Sequence, residues 1–272
     1  MSVWLTDLAD ILNAAGVPVI EETYKYGEHA GQSWKQVGYN GAGLSSFDYI
    51  LWHHDASPAG PSPGVLHWVM YDGFGAAPAA ACWVCLGCNG KHAPSWHVYA
   101  AGLSNHAGTG GPWAPTNGAP YVPQNAMNMH SLGIEVDHNY GEGWGSDLKL
   151  AQLDTLRLGT AAILKAYSMP AERVIRHLDW TNGIIDGNGR FSTYGRKNDI
   201  DGLDWHYERR LLAELISGLD GTVPNATKVA RIRSRIERLR KARQDAKAAG
   251  ESTKGFASRI RRLREKLRNL TS

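Results

Sequence analysis

Short apolar segments that alternate with amphipathic, helix-length segments limit the fold of this chain more than any other feature. Phe47 to Trp52, Ser131 to Val136 and Val174 to His177 each have the length and composition of a buried strand. Segments of helical period lie between and beside them, so strands and helices are interleaved along the chain. This order predicts an α/β domain with a mixed central β-sheet that is flanked by helices.

Periodicity also predicts the helices and a hairpin. Residues 3 to 15 repeat apolar side chains at helical spacing, and Gly16 follows as a stop signal. Two strand-like segments, Cys82 to Leu86 and Trp96 to Ala101, flank the turn pair Asn89-Gly90 and predict a β-hairpin with an extended tip. The other predicted helices are Val65 to Tyr71, Asp147 to Tyr167 and Leu203 to Ile216.

The hairpin holds all three cysteines of the chain. Cys82, Cys85 and Cys88, with His92, have a spacing that could form a structural zinc site of three thiolates and one imidazole. Strand alternation turns Cys85 away from the other two, and an odd number of closely spaced cysteines is not the pattern of a disulfide framework. We therefore favour free, buried thiols over a second metal site.

Charge divides the chain near Val223. Residues 223–272 hold 16 of the 29 Lys and Arg residues but 4 of the 26 Asp and Glu residues, which leaves net charges of −9 before this point and +12 after it. The segment 219–227 has the Gly, Pro and Asn content of a linker. We predict a main domain over residues 1–218, this linker, and a basic two-helix module over residues 228–272.

The basic module has the apolar pattern of two amphipathic helices. A helical hairpin would cover the apolar stripes, as would a coiled coil with another chain. The near absence of interleaved aromatic residues disfavours nucleic acid as a partner. We expect the module to bind anionic wall polymers or an anionic membrane surface, with self-association as the alternative. The apolar positions are Val229, Ile232, Ile236 and Leu239, then Ile260, Leu263, Leu267 and Leu270.

Three polar residues suggest a metal site. His53 and His177 end two of the predicted strands, and Asp199 follows a Gly-Arg-Lys turn. A catalytic zinc ion needs about three His or carboxylate ligands on rigid elements, with one position left open. The chain has eleven histidines, so spacing alone does not decide between a zinc site and structural histidines.

Five ordered motifs distinguish this triplet from a chance one. Residues 50–57, Ile-Leu-Trp-His-His-Asp-Ala-Ser, resemble the opening strand of the zinc-dependent N-acetylmuramoyl-L-alanine amidases of the second type. That family includes phage endolysins, bacterial recycling amidases and animal peptidoglycan recognition proteins, and the resemblance covers residues 1 to 216. The other motifs are Asn105 to Gly108, Ser131 to Glu135, Val174 to His177 and Gly195 to Asp199.

The resemblance implies a role for each matching residue. His53, His177 and Asp199 take the places of the three zinc ligands. Lys197 matches a lysine over the scissile carbonyl, where a fixed cation stabilises the developing oxyanion. His106 matches a histidine near the substrate cleft, and we expect it to bind substrate.

Some implied roles have alternatives. Glu135 matches a glutamate that takes a proton from the attacking water and returns it to the leaving amine, or it orients a zinc-bound histidine. Another branch uses a tyrosine near the position of Cys82, which this chain lacks. His54 becomes a core residue or one that supports the ligands. The family has proline where this chain has Ile200, and Asp201 is a second candidate for the third ligand.

These motifs imply a Zn²⁺-dependent amidase that cleaves the bond between N-acetylmuramic acid and L-alanine in bacterial peptidoglycan. The N-terminus has no basic segment followed by an apolar run, so we expect no secretory signal and a protein held in the host cytoplasm until it is released to the wall. With the basic tail, this favours a phage-type endolysin that causes host cell lysis over a cytoplasmic recycling amidase. A non-catalytic peptidoglycan-binding protein is the alternative of another class.

Overall fold

The computed structural model describes most of residues 2–219 and parts of the basic tail. The described residues are 2–55, 63–72, 77–87, 93–115, 118–139, 143–144, 146–182, 199–200, 202–219, 236, 239, 243, 246–248, 252–253 and 255–271. The strands are β1 (Val19–Glu21), β2 (Tyr49–Trp52), β3 (Cys82–Cys85), β4 (Ser95–Val98), β5 (Ser131–Val136) and β6 (Val174–Arg176). The helices are α1 (Leu8–Ala14), α2 (Pro63–Tyr71), α3 (Asp147–Ala166), α4 (His177–Asn182), α5 (Trp205–Gly218) and α6 (Phe256–Thr271).

The six strands form one mixed sheet in the order β1-β4-β3-β5-β2-β6. Strands β3, β5, β2 and β6 are parallel to one another, whereas β4 runs antiparallel to β3 and parallel to β1. The carboxyl ends of β2, β5 and β6 therefore lie at one edge of the sheet, which we call the carboxyl edge. Strand β1 runs in the opposite direction, and the strand pairs place its last residue, Glu21, level with Trp52 of β2. This topology confirms the predicted mixed sheet with helices.

Tryptophans fill the space between the sheet and α3. Trp52 of β2 and Trp96 of β4 are fully buried, and each indole N–H has a partner on α3. Trp52 Nε1 donates to Thr160 Oγ1 at 3.1 Å, and Trp96 Nε1 donates to the Thr155 carbonyl at 3.1 Å. A buried indole is stable only when its N–H is satisfied, so these bonds fix how α3 lies on the sheet.

An ion pair between α3 and α5 is buried in the same layer. Arg157 and Glu208 are 4% and 2% exposed, and two guanidinium nitrogens of Arg157 donate to the two carboxylate oxygens of Glu208. Arg157 also donates to Asp154 Oδ1 at 3.0 Å. The guanidinium thus has acceptors on both helices. This bidentate geometry joins α5 firmly to the domain.

One of the two described cysteines differs from the predicted free thiols. Cys82 is a buried free thiol, as predicted, and burial raises its pKa. Cys85, however, is in a disulfide, so its sulfur is not available as the thiolate ligand of a second zinc site. Cys88 and His92 lie outside the described residues. The odd number of cysteines argued against a framework of several disulfides but could not exclude a single one.

The apolar stripes of the basic tail meet each other. Ile236 and Ile260 are 5% and 7% exposed and form a small cluster, with Leu239 and Leu263 packed against it. This contact agrees with the predicted helical hairpin. None of the described helices combines the length and apolar character that a membrane crossing requires.

Candidate metal centre and active site

Three buried side chains converge at the carboxyl edge of the sheet. His53 Nδ1 lies 2.9 Å from His177 Nδ1, and Asp199 Oδ2 lies 2.9 Å from His177 Nδ1 and 3.4 Å from His53 Nδ1. All three residues are buried and form a group that could hold a metal ion. Tetrahedral ligands at zinc distances are about 3.3 Å apart, so this triangle has the size that a zinc ion needs.

The sheet explains why these residues meet. His53 directly follows β2 and His177 directly follows β6, and the two strands are parallel neighbours. Both histidines therefore lie at the carboxyl edge. The chain returns to this edge at Asp199, whose carbonyl accepts from the Leu178 amide at 2.6 Å. His54 is also buried, but it is not part of the triangle.

Hydrogen bonds select the tautomer of His177. Its Nε2 lies 3.0 Å from the carbonyl oxygen of Ala107. A carbonyl oxygen only accepts, so Nε2 of the neutral ring carries the proton and Nδ1 keeps a lone pair. That lone pair belongs to the atom that faces His53 and Asp199. The ring is thus prepared to bind a metal through Nδ1.

The hydrogen bonds of His106 select the tautomer of His53. His106 Nε2 lies 3.3 Å from the Ser131 carbonyl, to which it can only donate. His106 Nδ1 is then an acceptor, and it lies 3.1 Å from His53 Nε2. His53 therefore donates from Nε2 and keeps the lone pair of Nδ1 for the metal position. His106 acts here as a positioning residue, and its predicted contact with substrate stays a prediction.

Burial fixes the charges of the site. Desolvation, together with nearby His53 and His177, holds the pKa of His106 well below its ordinary value, so this ring stays neutral. For Asp199, burial alone raises the pKa, but its close contacts with His177 and His53 outweigh burial and hold the pKa below its usual range. A cation bound between the three groups acts in the same direction. Asp199 is therefore an ionised carboxylate that can neutralise part of a metal's charge.

The chain was compared with models of known protein families. The model of the N-acetylmuramoyl-L-alanine amidase family matches residues 44–199, which is more than half of the chain. The chain belongs to this family. A comparison with curated proteins finds no match. The family membership makes the protein a peptidoglycan amidase in general terms, and the matched segment ends at the third residue of the triangle.

Glu135, the predicted proton-transfer residue of the amidase, lies on β5, next to the strand that leads into His53. Trp52 of β2 pairs with Ile134 of β5, and the His53 amide donates to the Ile134 carbonyl at 2.9 Å. The same register places Glu135 beside His53 on one face of the sheet. Glu135 is half-buried. Its catalytic role stays a prediction, and Lys197 and Asp201 lie outside the described residues.

Gly133 makes room for the positioning histidine of the amidase. A Cβ built on Gly133 would lie 2.7 Å from His106 Nδ1, which is closer than real Cβ contacts. We expect Gly133→Ala to displace His106 and weaken zinc binding by about 10- to 100-fold, as for other losses of ligand support. Zinc titration against a competing chelator measures this. Gly143→Ala is the matched control, because nothing lies within 4 Å of its added Cβ. Equal zinc affinity of both variants would contradict the positioning role.

Sequence reasoning identified the triangle of the amidase but missed its support. The Ser131 and Ala107 carbonyls, which fix the histidine tautomers, are backbone groups that no residue type reveals. Gly133 was a detectable sign, since a glycine inside a predicted buried strand often marks a close approach of another group.

Proposed function

We propose that this protein is a zinc-dependent endolysin that hydrolyses the amide bond between N-acetylmuramic acid and L-alanine and thereby lyses the host cell. The convergence of two imidazole Nδ1 atoms and one carboxylate oxygen within 3.4 Å is the observation on which the zinc proposal rests. Two nitrogen ligands and one oxygen ligand leave a fourth tetrahedral position for a water or the substrate. We further propose that the protein is held in the host cytoplasm until lysis.

The chain's own groups would divide the work of hydrolysis. A zinc ion held by His53, His177 and Asp199 would supply a Lewis acid for the scissile carbonyl and lower the pKa of a water to about 7. Glu135, beside His53 in the sheet, is proposed to take a proton from the attacking water and return it to the leaving amine. Lys197 is proposed to stabilise the developing negative charge on the carbonyl oxygen.

Digestion of purified cell wall tests the bond and the metal together. The protein is incubated with wall before and after removal of metal by a chelator, and mass spectrometry follows new free L-alanine amino termini. We expect these termini to appear, to be lost with the chelator and to return with added zinc. New glycan reducing ends would show that a different bond is cleaved. Wall binding without any new termini would favour the non-catalytic alternative.

Glu135→Gln tests the proton-transfer role. The amide keeps the size of the side chain but cannot take up a proton, so we expect kcat to fall by about 10²- to 10⁴-fold. Zinc affinity is expected to change little, which separates proton transfer from support of a ligand histidine. Glu172→Gln is the control, because Glu172 is exposed on a turn remote from the site. Wild-type kcat for Glu135→Gln would rule out this role.

The basic tail is proposed to hold the protein at anionic wall polymers. Ile236 and Ile260 already cover each other, so the apolar stripes contact protein within the chain. Four arginines of α6 are exposed, and this arrangement favours an electrostatic surface over insertion of an apolar face into a membrane. The exposed arginines are Arg259, Arg261, Arg262 and Arg264.

Changing these four arginines to glutamine tests this role. We expect retention on purified wall to fall about tenfold or more at low salt, because charge attraction between exposed groups is lost. Wall stripped of its anionic polymers is the control and should retain wild-type and variant protein equally. Unchanged wall retention, with a shift from dimer to monomer in sedimentation, would support self-association instead.

A further inference from the structure

A second concave site lies in residues that belong mostly to the segment before the matched family span. It is a cavity of about 280 Å³ between the loop that follows β1, the turn at Tyr39, and the end of α2. Four tyrosines and two carboxylates line it, together with His29, Asn40 and smaller or apolar groups. The tyrosines and carboxylates are Tyr24, Tyr26, Tyr39, Tyr71, Glu28 and Asp72.

The order of the strands separates this cavity from the metal triangle. Strand β1, whose carboxyl end leads into the cavity residues, lies four strand positions from β2 in the sheet. Neighbouring strands are about 4.8 Å apart, so β1 and β2 are about 19 Å apart along the sheet. His53 follows β2, and none of the residues that line the cavity belongs to the metal triangle.

The aromatic walls are braced before any ligand arrives. The Tyr24 and Tyr71 rings meet edge to face with centroids 5.2 Å apart, and the Tyr26 ring lies 5.7 Å from that of Tyr71. The Tyr71 hydroxyl accepts a hydrogen bond from the Lys25 amide at 2.8 Å. Tyr26 nevertheless stays 61% exposed, so one wall is open to solvent. Rigid aromatic walls bind a ligand with little loss of conformational freedom.

The polar groups of the cavity favour a cation. Glu28 and Asp72 are exposed at its rim, and no Lys or Arg is among the described residues that line it. Glu28 Oε1 lies 3.2 Å from His29 Nε2, which leaves the second oxygen of Glu28 and the Asp72 carboxylate for a ligand. Tyr24 is 1% exposed, and its buried hydroxyl has no hydrogen-bond partner among the described residues. Ring faces and carboxylates both attract an ammonium group, and the Tyr24 hydroxyl can accept a hydrogen bond from one of its N–H groups.

We propose that this cavity binds an aliphatic ammonium group. On the substrate of the proposed function, on which this assignment of the source rests, that group is the side chain of a diamino acid in the wall peptide. The cavity would then hold the peptide at a second point while the metal triangle faces the scissile amide. Binding at this point adds to affinity for the wall without taking part in the chemistry.

Tyrosine-labelled NMR of the full chain tests the ammonium site directly. Nα-acetyl-L-lysine amide is titrated while the ring signals of the eleven tyrosines are followed, and single Tyr→Phe variants assign them. We expect saturable shifts of the four cavity tyrosines. Nα-acetyl-L-norleucine amide, which has the same length without the charge, should bind at least about tenfold more weakly. Equal binding of the two probes, or no saturable shift, would overturn the proposal.

Charge variants place the site on the molecule. We expect Glu28→Gln/Asp72→Asn to weaken binding of the lysine probe by at least about tenfold. Asp10→Asn/Glu172→Gln removes the same net charge from exposed positions outside the cavity and should bind as wild type. Equal weakening by both double variants would mean non-specific attraction and reject the site. This readout needs no hydrolysis, so an inactive protein that binds the probe would refute the proposed function but not the ammonium site.

Discussion

His177→Ala is expected to abolish peptidoglycan hydrolysis and zinc binding together. Two ligands cannot hold zinc with the affinity of three, and without the metal neither the carbonyl nor the water is activated. We expect wall hydrolysis to fall below about a thousandth of the wild-type rate and the bound zinc per chain to fall to near zero. Wall turbidity and elemental analysis of the dialysed protein measure the two quantities.

A matched variant separates this loss from a general effect of removing an imidazole. His206 is exposed in the first turn of α5, so His206→Ala should keep both zinc and activity. Circular dichroism of His177→Ala tests whether α4, which begins at this residue, still forms. A folded His177→Ala that retains one zinc per chain would remove His177 from the ligand set.

Glu208→Ala should produce the largest loss of stability. The substitution leaves the guanidinium of Arg157 buried without its bidentate partner, and the free energy of unfolding is expected to fall by about 3–5 kcal/mol. Burial alone would lower the pKa of Arg157, but the charge and hydrogen bonds of Glu208 and Asp154 raise it. The guanidinium therefore stays charged, and the cost of burying an unpaired charge is not avoided by loss of its proton. Urea unfolding of the full chain measures the change.

Two further variants distinguish an unpaired charge from simple loss of packing. Arg157→Met/Glu208→Leu removes both charges and fills the space, so it should recover most of the lost stability. Asp154→Asn should cost about 1 kcal/mol or less, because the Asp154 carboxylate is partly exposed and Glu208 remains. A double variant as unstable as Glu208→Ala would show that packing, and not the charge, sets the cost.

The sequence predicted the parts of the fold whose burial is continuous. Strands β2 and β5 agree with the predicted apolar runs, since strands covered on both faces need apolar residues at almost every position. The long helix α3 was predicted to within one residue at its end, because its apolar period is a local feature.

Elements that depend on distant partners were missed. Strand β1 has three residues and is only partly buried, and its pairing with β4 makes it a strand. The predicted strand through His177 ends one residue early, because Asp179 accepts from the Arg176 amide at 3.2 Å and helix α4 begins at His177. Local composition does not distinguish these outcomes.

The candidate site shows the same division. The family motifs named His53, His177 and Asp199, and the structure brings all three together. The order of the chain could not show that His106 would lie between His53 and the Ser131 carbonyl, because that contact joins a loop to a strand. Residue types identify the groups that bind a metal, whereas tertiary packing decides the tautomers in which they bind it.

The ion pair between α3 and α5 also limits how this enzyme can be recombined with other amidases of its family. The matched family span ends at residue 199, yet the counter-ion of Arg157 lies at Glu208, beyond that limit. A chimera that keeps this chain only up to residue 200 would contain every ligand of the triangle. It would lack α5, so the face of α3 that α5 covers would be exposed and Arg157 would lose its counter-ion. The smallest exchangeable unit is expected to end after Gly218, where α5 ends. In this protein the segment that matches the family is therefore shorter than the segment that is expected to fold as a unit.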